Sequence, residues 1–506
     1  MRHVVILGAG TAGTMVANKL RAASSPADLQ ITIVDQDDHH HYQPGYLFLP
    51  FGQLAPGQIV RARHSFIPDA VDLVLCGVDR VDADAKQVFL GNGSVLDYDT
   101  LIIATGVQPR PDATPGGLGP EYGKSVHHFY DLEAAERLQE SMRTFQGGRL
   151  VIHITEMPIK CPVAPLEFTF LADAYFKDKK IRRKVDITYV TPLDGAFTKP
   201  VASRELADAL SKRNVRLETD FAIAEIDNEP KEIVSFDDRR IPFDLLVTVP
   251  LNMGADYVAR SGLGDEMNLV PCDQGTMRSL AHPDVFVLGD AGTLKTSKAG
   301  SVAHFAVDVF MENWPQYLAG QQLTHNFDGH ANCFIESGAG KGMLLDFNYE
   351  TQPYTGEFPL PMVGPMSLLK ETRANHWAKL AFRWVYWNML IKGRPLPFTA
   401  DMYLMGKKIE DEASGTSTKD LLLGALGGAA HAPTKLTAAL KSRGAAKPKR
   451  DTGRLSGASA RPAARRTPAK AAPAATEKVP EYVPQRSVDS TTDSATVLPD
   501  PIIPKF

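Results

Sequence analysis

The chain has 506 residues, 43% of them hydrophobic and 23% charged, enough apolar material for two or three domains with buried cores. Its 55 Lys and Arg against 59 Asp and Glu leave a net charge of −4. There is no global basic field, which argues against nucleic acid as the main partner. Four cysteines without a CxxC pair exclude a secreted disulfide scaffold and leave each sulfur to be explained separately.

Met1 runs directly into an apolar strand and a glycine loop, Val4-Val5-Ile6-Leu7-Gly8. That leaves no room for a charged region, an apolar segment and a cleavage site, so the expected location is cytoplasmic. Alternating strands and helices follow, with strands predicted at 4–7, 31–34, 71–75 and 101–104. Gly8-Ala9-Gly10-Thr11-Ala12-Gly13 lies between a strand and a helix, where its glycines permit a tight turn and let a pyrophosphate rest on helix N–H groups. Asp35, 22 residues past Gly13 and at the end of the second strand, is placed to accept ribose hydroxyls. These residues announce a dinucleotide without separating FAD from NAD.

A second βαβ run begins at 150–154, continues through a helix from about 166 and reaches another strand at 185–190. The first domain resumes near 283–290, so it is predicted to be discontinuous. The boundaries are 1–107 with 270–325 for the first domain, 108–269 for the second, 326–410 for a C-terminal region and 411–506 for a mostly disordered tail. A second nicotinamide-type glycine loop would be expected after the strand at 150–154. Residues 154–165 contain no glycine, carry three prolines and add Glu156, a combination that obstructs a pyrophosphate and disfavours NADH. Cys161 stands there instead, just before a helix whose N-terminal dipole, with Lys160 alongside, is expected to lower the thiol pKa.

Several stretches in series resemble the sulfide:quinone oxidoreductase family. They are Pro158-Ile159-Lys160-Cys161-Pro162-Val163-Ala164-Pro165, similar to its KCxxAP segment; His41-Tyr42-Gln43-Pro44-Gly45; Ala104-Thr105-Gly106; Leu288-Gly289-Asp290; and Thr296-Ser297-Lys298-Ala299-Gly300. The likeness spans residues 1 to about 408. It implies an α/β fold of two Rossmann-like, glutathione-reductase-like domains, with FAD held by Gly8, Gly10, Thr11, Ala12, Gly13, Asp35, Gln43, Pro44, Thr105, Gly106, Gly289 and Asp290. It also implies a second redox cysteine about 170 to 180 residues after the first, which Cys333, 172 residues on, supplies. Electrons from sulfide would pass through the Cys161/Cys333 pair to FAD and then to membrane quinone, with sulfane sulfur delivered to a sulfur acceptor. Glu167 would relay a proton, and Lys298, at the start of the helix after Asp290, would steady negative charge on reduced flavin or quinone. Cys76, in an apolar strand, and Cys272 read as structural. His127-His128 lie near the place of a third cysteine that many bacterial members carry. The run His39-His40-His41 reads as part of the loop and not as a metal site.

Residues 370–391 are predicted as an amphipathic helix. Ala374, Trp377, Leu380, Ala381, Trp384, Val385, Asn388 and Ile391 share one side; Lys370, Arg373, Lys379 and Arg383 supply basic groups, followed by Lys392 and Arg394. Three of the four tryptophans, Trp377, Trp384 and Trp387, fall in this segment, which suits a headgroup interface. With no apolar run of 18 to 20 residues, a peripheral position on the inner face of the cell membrane is expected, with residues 370–394 as the docking segment. A homo-oligomer is compatible with all of this. Two alternatives stay open: a type II NADH:quinone dehydrogenase, and a non-catalytic FAD-binding module. A flavocytochrome-type sulfide dehydrogenase is weaker for want of an export signal.

Overall fold

The computed structural model describes residues 1–360, 364–396, 400–402, 404 and 406–408. The predicted tail from 411, with its short apolar piece at 421–426, lies outside the described residues. The chain opens with β1 (Arg2–Leu7), α1 (Thr11–Ala23), β2 (Leu29–Asp35), β3 (Asp72–Leu75) and β4 (Thr100–Ile103). It continues through β5 (Val126–His127), α2 (Leu132–Thr144), β6 (Gly148–Ile154), α3 (Ala164–Asp178), β7 (Val185–Val190), β8 (Val215–Glu218) and β9 (Leu245–Val249). Then come β10 (Val285–Val287), α4 (Gly300–Leu318), β11 (Ala331–Gly338), β12 (Lys341–Phe347), β13 (Gly356–Leu360), β14 (Gly364–Leu368) and α5 (Arg373–Val385).

Two five-stranded sheets are parallel throughout. The first has the order β10-β4-β1-β2-β3 and the second β5-β9-β6-β7-β8. Parallel strands covered on both faces need unbroken apolar runs. Val4 through Leu7 in β1 and Leu245 through Val247 in β9 meet that need and are buried. Because β10 pairs with β4, the polypeptide leaves the first sheet and returns to it after completing the second. The order reverses about β1, so the glycine loop opens at the switch point where such sheets hold ligands. A third, mixed sheet, β11-β12-β14-β13, follows.

The segment predicted as a single helix over 370–391 divides in two. α5 starts at a Thr372 cap, whose hydroxyl accepts from Asn375 N at 3.1 Å, and runs to Val385. A π-helical turn occupies Tyr386–Leu390. Trp377, Leu380, Ala381 and Trp384 are exposed, but Trp387 and Ile391, predicted to be lipid-facing, are buried. Trp387 stacks on Phe66 with ring centres 5.2 Å apart. The i→i+5 turn rotates less per residue than an α-helix, which takes the residues after Val385 out of phase with the periodicity that grouped Ile391 with Trp377 and Trp384.

Candidate active site

The glycine loop after β1 has the shape of a phosphate cradle. Gly8 adopts φ +92°, and a Cβ on it would lie 2.6 Å from Ala104 O; a Cβ on Gly13 would lie 1.8 Å from Gly8 O. Side chains there would push the loop apart. Gly10 by contrast faces open space, and no side chain caps the N-terminus of α1, so its N–H groups remain available to an anion. Asp35 closes one end: its Oδ2 accepts from Ala9 N at 2.7 Å and pairs with Arg63 Nη1 at 2.8 Å. Burial pushes the Asp35 carboxyl up, against the pull of Arg63. Gly106, at φ +65°, also borders open space, and Thr105 reaches Tyr257 OH at 3.3 Å. Gln43 and Pro44 begin an exposed end of the 3-10 helix Gln43–Phe51.

The loop between β6 and α3 is tied to the loop that carries Asp290. Cys161 N donates to Lys298 O at 2.7 Å, and the Cys161 backbone takes the left-handed φ of +47°. Lys298 lies two residues before α4 and not on it; its buried ammonium donates to Asp290 O at 2.6 Å and Gly292 O at 3.1 Å. It acts there as a clamp on the Gly-Asp turn. The Asp290 carboxyl is pushed up by burial, with Lys298 and Lys160 pulling it back.

Three groups from three elements converge on Cys161 of this loop. Cys333 comes from β11, in register with Leu345 of β12; Glu167 comes from the first turn of α3; Lys379 comes from α5. Glu167 Oε1 pairs with Lys379 Nζ and accepts from Glu336 N at 2.6 Å, while Lys379 also donates to Phe334 O at 3.0 Å. The Cys161 and Cys333 thiols are close enough for charge on the first to raise the second, and both respond to Glu167 and Lys379. Tyr42 and Tyr130 feel the charge on Cys161 and Glu167 as well. All four cysteines are free thiols.

The electrostatics reverse one expectation. Burial first, then the Glu167 carboxylate, push the Cys161 thiol up to about 12, with Lys379 opposing. The predicted lowering by Lys160 fails because that ammonium turns away to Tyr130 O at 3.3 Å, while its backbone N–H is held by Asn252 Oδ1 at 3.0 Å. Lys379, predicted as an outward basic group, is the cation of the site. No local signal marks this role, nor that of Arg63 as the partner of Asp35; both depend on which helix or strand face meets a neighbour. Cys76 follows β3 and is not within it, and Cys272 is buried against Gly292. His39 is exposed while His40 is buried and hydrogen-bonded to Tyr386 OH at 2.8 Å, so these neighbours diverge.

Residues 2–152 match the family model described as pyridine nucleotide-disulphide oxidoreductase. The mitochondrial sulfide:quinone oxidoreductase of Mus musculus is 24% identical over 402 residues, spanning 77% of this chain and 86% of that protein. The corresponding protein of Schizosaccharomyces pombe is 26% identical over 420 residues, spanning 77% and 90%. Over most of its length the chain resembles the sulfide:quinone oxidoreductases. The solved structure of the Aquifex aeolicus sulfide:quinone oxidoreductase shares its fold, with a TM-score of 0.66 at 19% identity over 78% of this chain and 92% of that one. The likeness and the matched family model support an FAD-dependent oxidoreductase. The open cradle at Gly10, the uncapped α1 and the partly buried Asp290 carboxyl fit that cofactor.

Proposed function

We propose that the chain oxidises sulfide through a Cys161/Cys333 redox pair and delivers the electrons to a membrane quinone, leaving sulfane sulfur for a small acceptor. The observation that carries this reading is the convergence of both thiols with Glu167 and Lys379 at the place where a nicotinamide glycine loop is missing. Bound FAD supplies a two-electron carrier between sulfur and quinone. Its holders are Gly8, Gly10, Thr11, Ala12 and Gly13 for the pyrophosphate, Asp35 for ribose, and Gln43, Pro44, Thr105, Gly106, Gly289 and Asp290 around the rest.

In the oxidised pair, HS⁻ attacks the Cys161–Cys333 disulfide; the new S–S bond makes a persulfide on one cysteine as the old one breaks and frees the other as a thiolate. A thiol as high as Cys161 is a poor nucleophile in its resting state, so a cation must appear beside the sulfur that leaves. The Lys379 ammonium fills that role, and Glu167 accepts or returns the proton. Lys298 keeps the Gly-Asp turn in place and holds Cys161 through its carbonyl. Anaerobic titration of the holoprotein tests the reading: sulfide is expected to bleach the flavin, quinone to restore it, and NADH to leave it oxidised. Rapid bleaching by NADH would favour the type II dehydrogenase alternative.

The exposed Trp377, Leu380 and Trp384, followed by exposed Lys392 and Arg394, support docking of α5 on an anionic bilayer, at the inner face of the cell membrane. Among the described residues no helix is long and apolar enough to cross a membrane. Changing Trp377 and Trp384 together to serine is expected to weaken co-sedimentation with anionic vesicles roughly tenfold or more, without slowing flavin reduction by sulfide. Undiminished vesicle binding would remove α5 from the interface.

A further inference from the structure

Glu336 and His376 form a carboxylate–imidazole pair that the cysteine chemistry above leaves unused. Glu336 lies on β11, three residues past Cys333, and is 2% exposed. Its backbone N–H holds Glu167 Oε1 at 2.6 Å, and its own Oε1 lies 2.8 Å from His376 Nδ1. The other carboxylate oxygen, Oε2, is buried without a hydrogen-bond partner, an arrangement that is costly for a group serving only as a structural pin. His376 is one turn before Lys379 on α5, and a fifth of its side chain reaches solvent. Lys379 pairs with Glu167, and its charge also lowers the Glu336 carboxyl. The titratable groups facing Glu336 are therefore Glu167 from α3 and His376 and Lys379 from α5. Arg213 is next beyond, donating to Ser337 O at 3.0 Å.

Sulfide oxidation makes a demand on this region. H₂S loses two electrons and two protons as its sulfur becomes the sulfane sulfur of a cysteine persulfide. The electron pair leaves for the quinone, which takes up two protons at its own site, so the protons lost by H₂S must depart from a buried pocket. We propose that Glu336 and His376 are the outlet through which those protons pass from Glu167 to solvent, an assignment that rests on the sulfide reading above. Glu336, whose backbone N–H holds Glu167, hands the proton on, and the imidazole releases it at the edge of α5.

The test is anaerobic stopped-flow reduction of the holoprotein by sulfide. His376→Ala and His376→Gln are expected to slow flavin bleaching by about tenfold or more, and added imidazole should restore the His376→Ala rate in proportion to its concentration. Glu336→Gln should show the same loss without rescue. FAD content and melting temperature report whether each variant folds, and the two His376 variants decide the matter if Glu336→Gln does not. Wild-type rates in both His376 variants, or a slow rate that imidazole does not lift, would overturn the outlet. Failure of sulfide to bleach the unmodified protein would instead overturn the sulfide reading and the outlet with it.

Discussion

Replacing either Cys161 or Cys333 by serine is expected to leave FAD bound and to cut flavin reduction by sulfide on the order of 10³-fold or more. A serine oxygen cannot form the disulfide that sulfide attacks, nor accept a sulfane sulfur, and with one sulfur gone its mate has no partner for exchange. The cofactor cradle is built from β1, α1 and the turn at Gly289-Asp290, none of which uses either thiol as a donor. Binding should therefore survive, and the visible spectrum of the purified variants checks it. Cys76→Ser, at a half-buried thiol outside the cluster, serves as a control with an unchanged rate. Bleaching of either active-site variant at the wild-type rate would end the case for a redox pair.

Lys379→Met is expected to cost about 3–5 kcal/mol of stability at neutral pH, because it strands the buried Glu167 carboxylate without its counter-charge. The cost should depend on pH in a defined direction. Burial already raises the Glu167 carboxyl above its ordinary 4.5, and Lys379 pulls it down; removing Lys379 raises it further. The folded variant then keeps a proton that the unfolded chain gives up, so its stability is preserved below about 4.5 and lost as pH rises through the folded-state value. Urea denaturation of variant and wild type at pH 5 and pH 8 measures this, and an equal deficit at both would refute it. Adding Glu167→Gln to Lys379→Met should recover much of the stability while leaving sulfide-driven reduction impaired, which separates charge balance from chemistry.

The fold was legible because its signals are local. The apolar run of β1, the glycines at 8, 10 and 13 and the absence of glycine from 154–165 each constrain a few consecutive residues. The electrostatics of the site were not, since they arise between elements distant in the chain. Lys379 and Glu167 are separated by 212 positions, and helical periodicity groups side chains without saying which group turns inward. Around α5 two expectations fail for one reason: Lys379 turns inward, and Ile391, grouped by periodicity with the exposed tryptophans, is buried beyond a turn whose hydrogen bonds change from i→i+4 to i→i+5. The thiol of Cys161 was misjudged for a related reason. Lys160 is its neighbour in sequence, whereas Glu167 and Lys379 are among the charges that act on it in space.

The left-handed backbone of Cys161 has an evolutionary corollary. At φ +47° an ordinary side chain crowds its own peptide, a strain of roughly 1–2 kcal/mol that glycine escapes. The most comfortable replacement is thus also the one that removes the sulfur. Selection for a sturdier protein would push this position toward glycine, so a lineage that keeps cysteine there must go on retaining a less relaxed turn for as long as the thiol is needed.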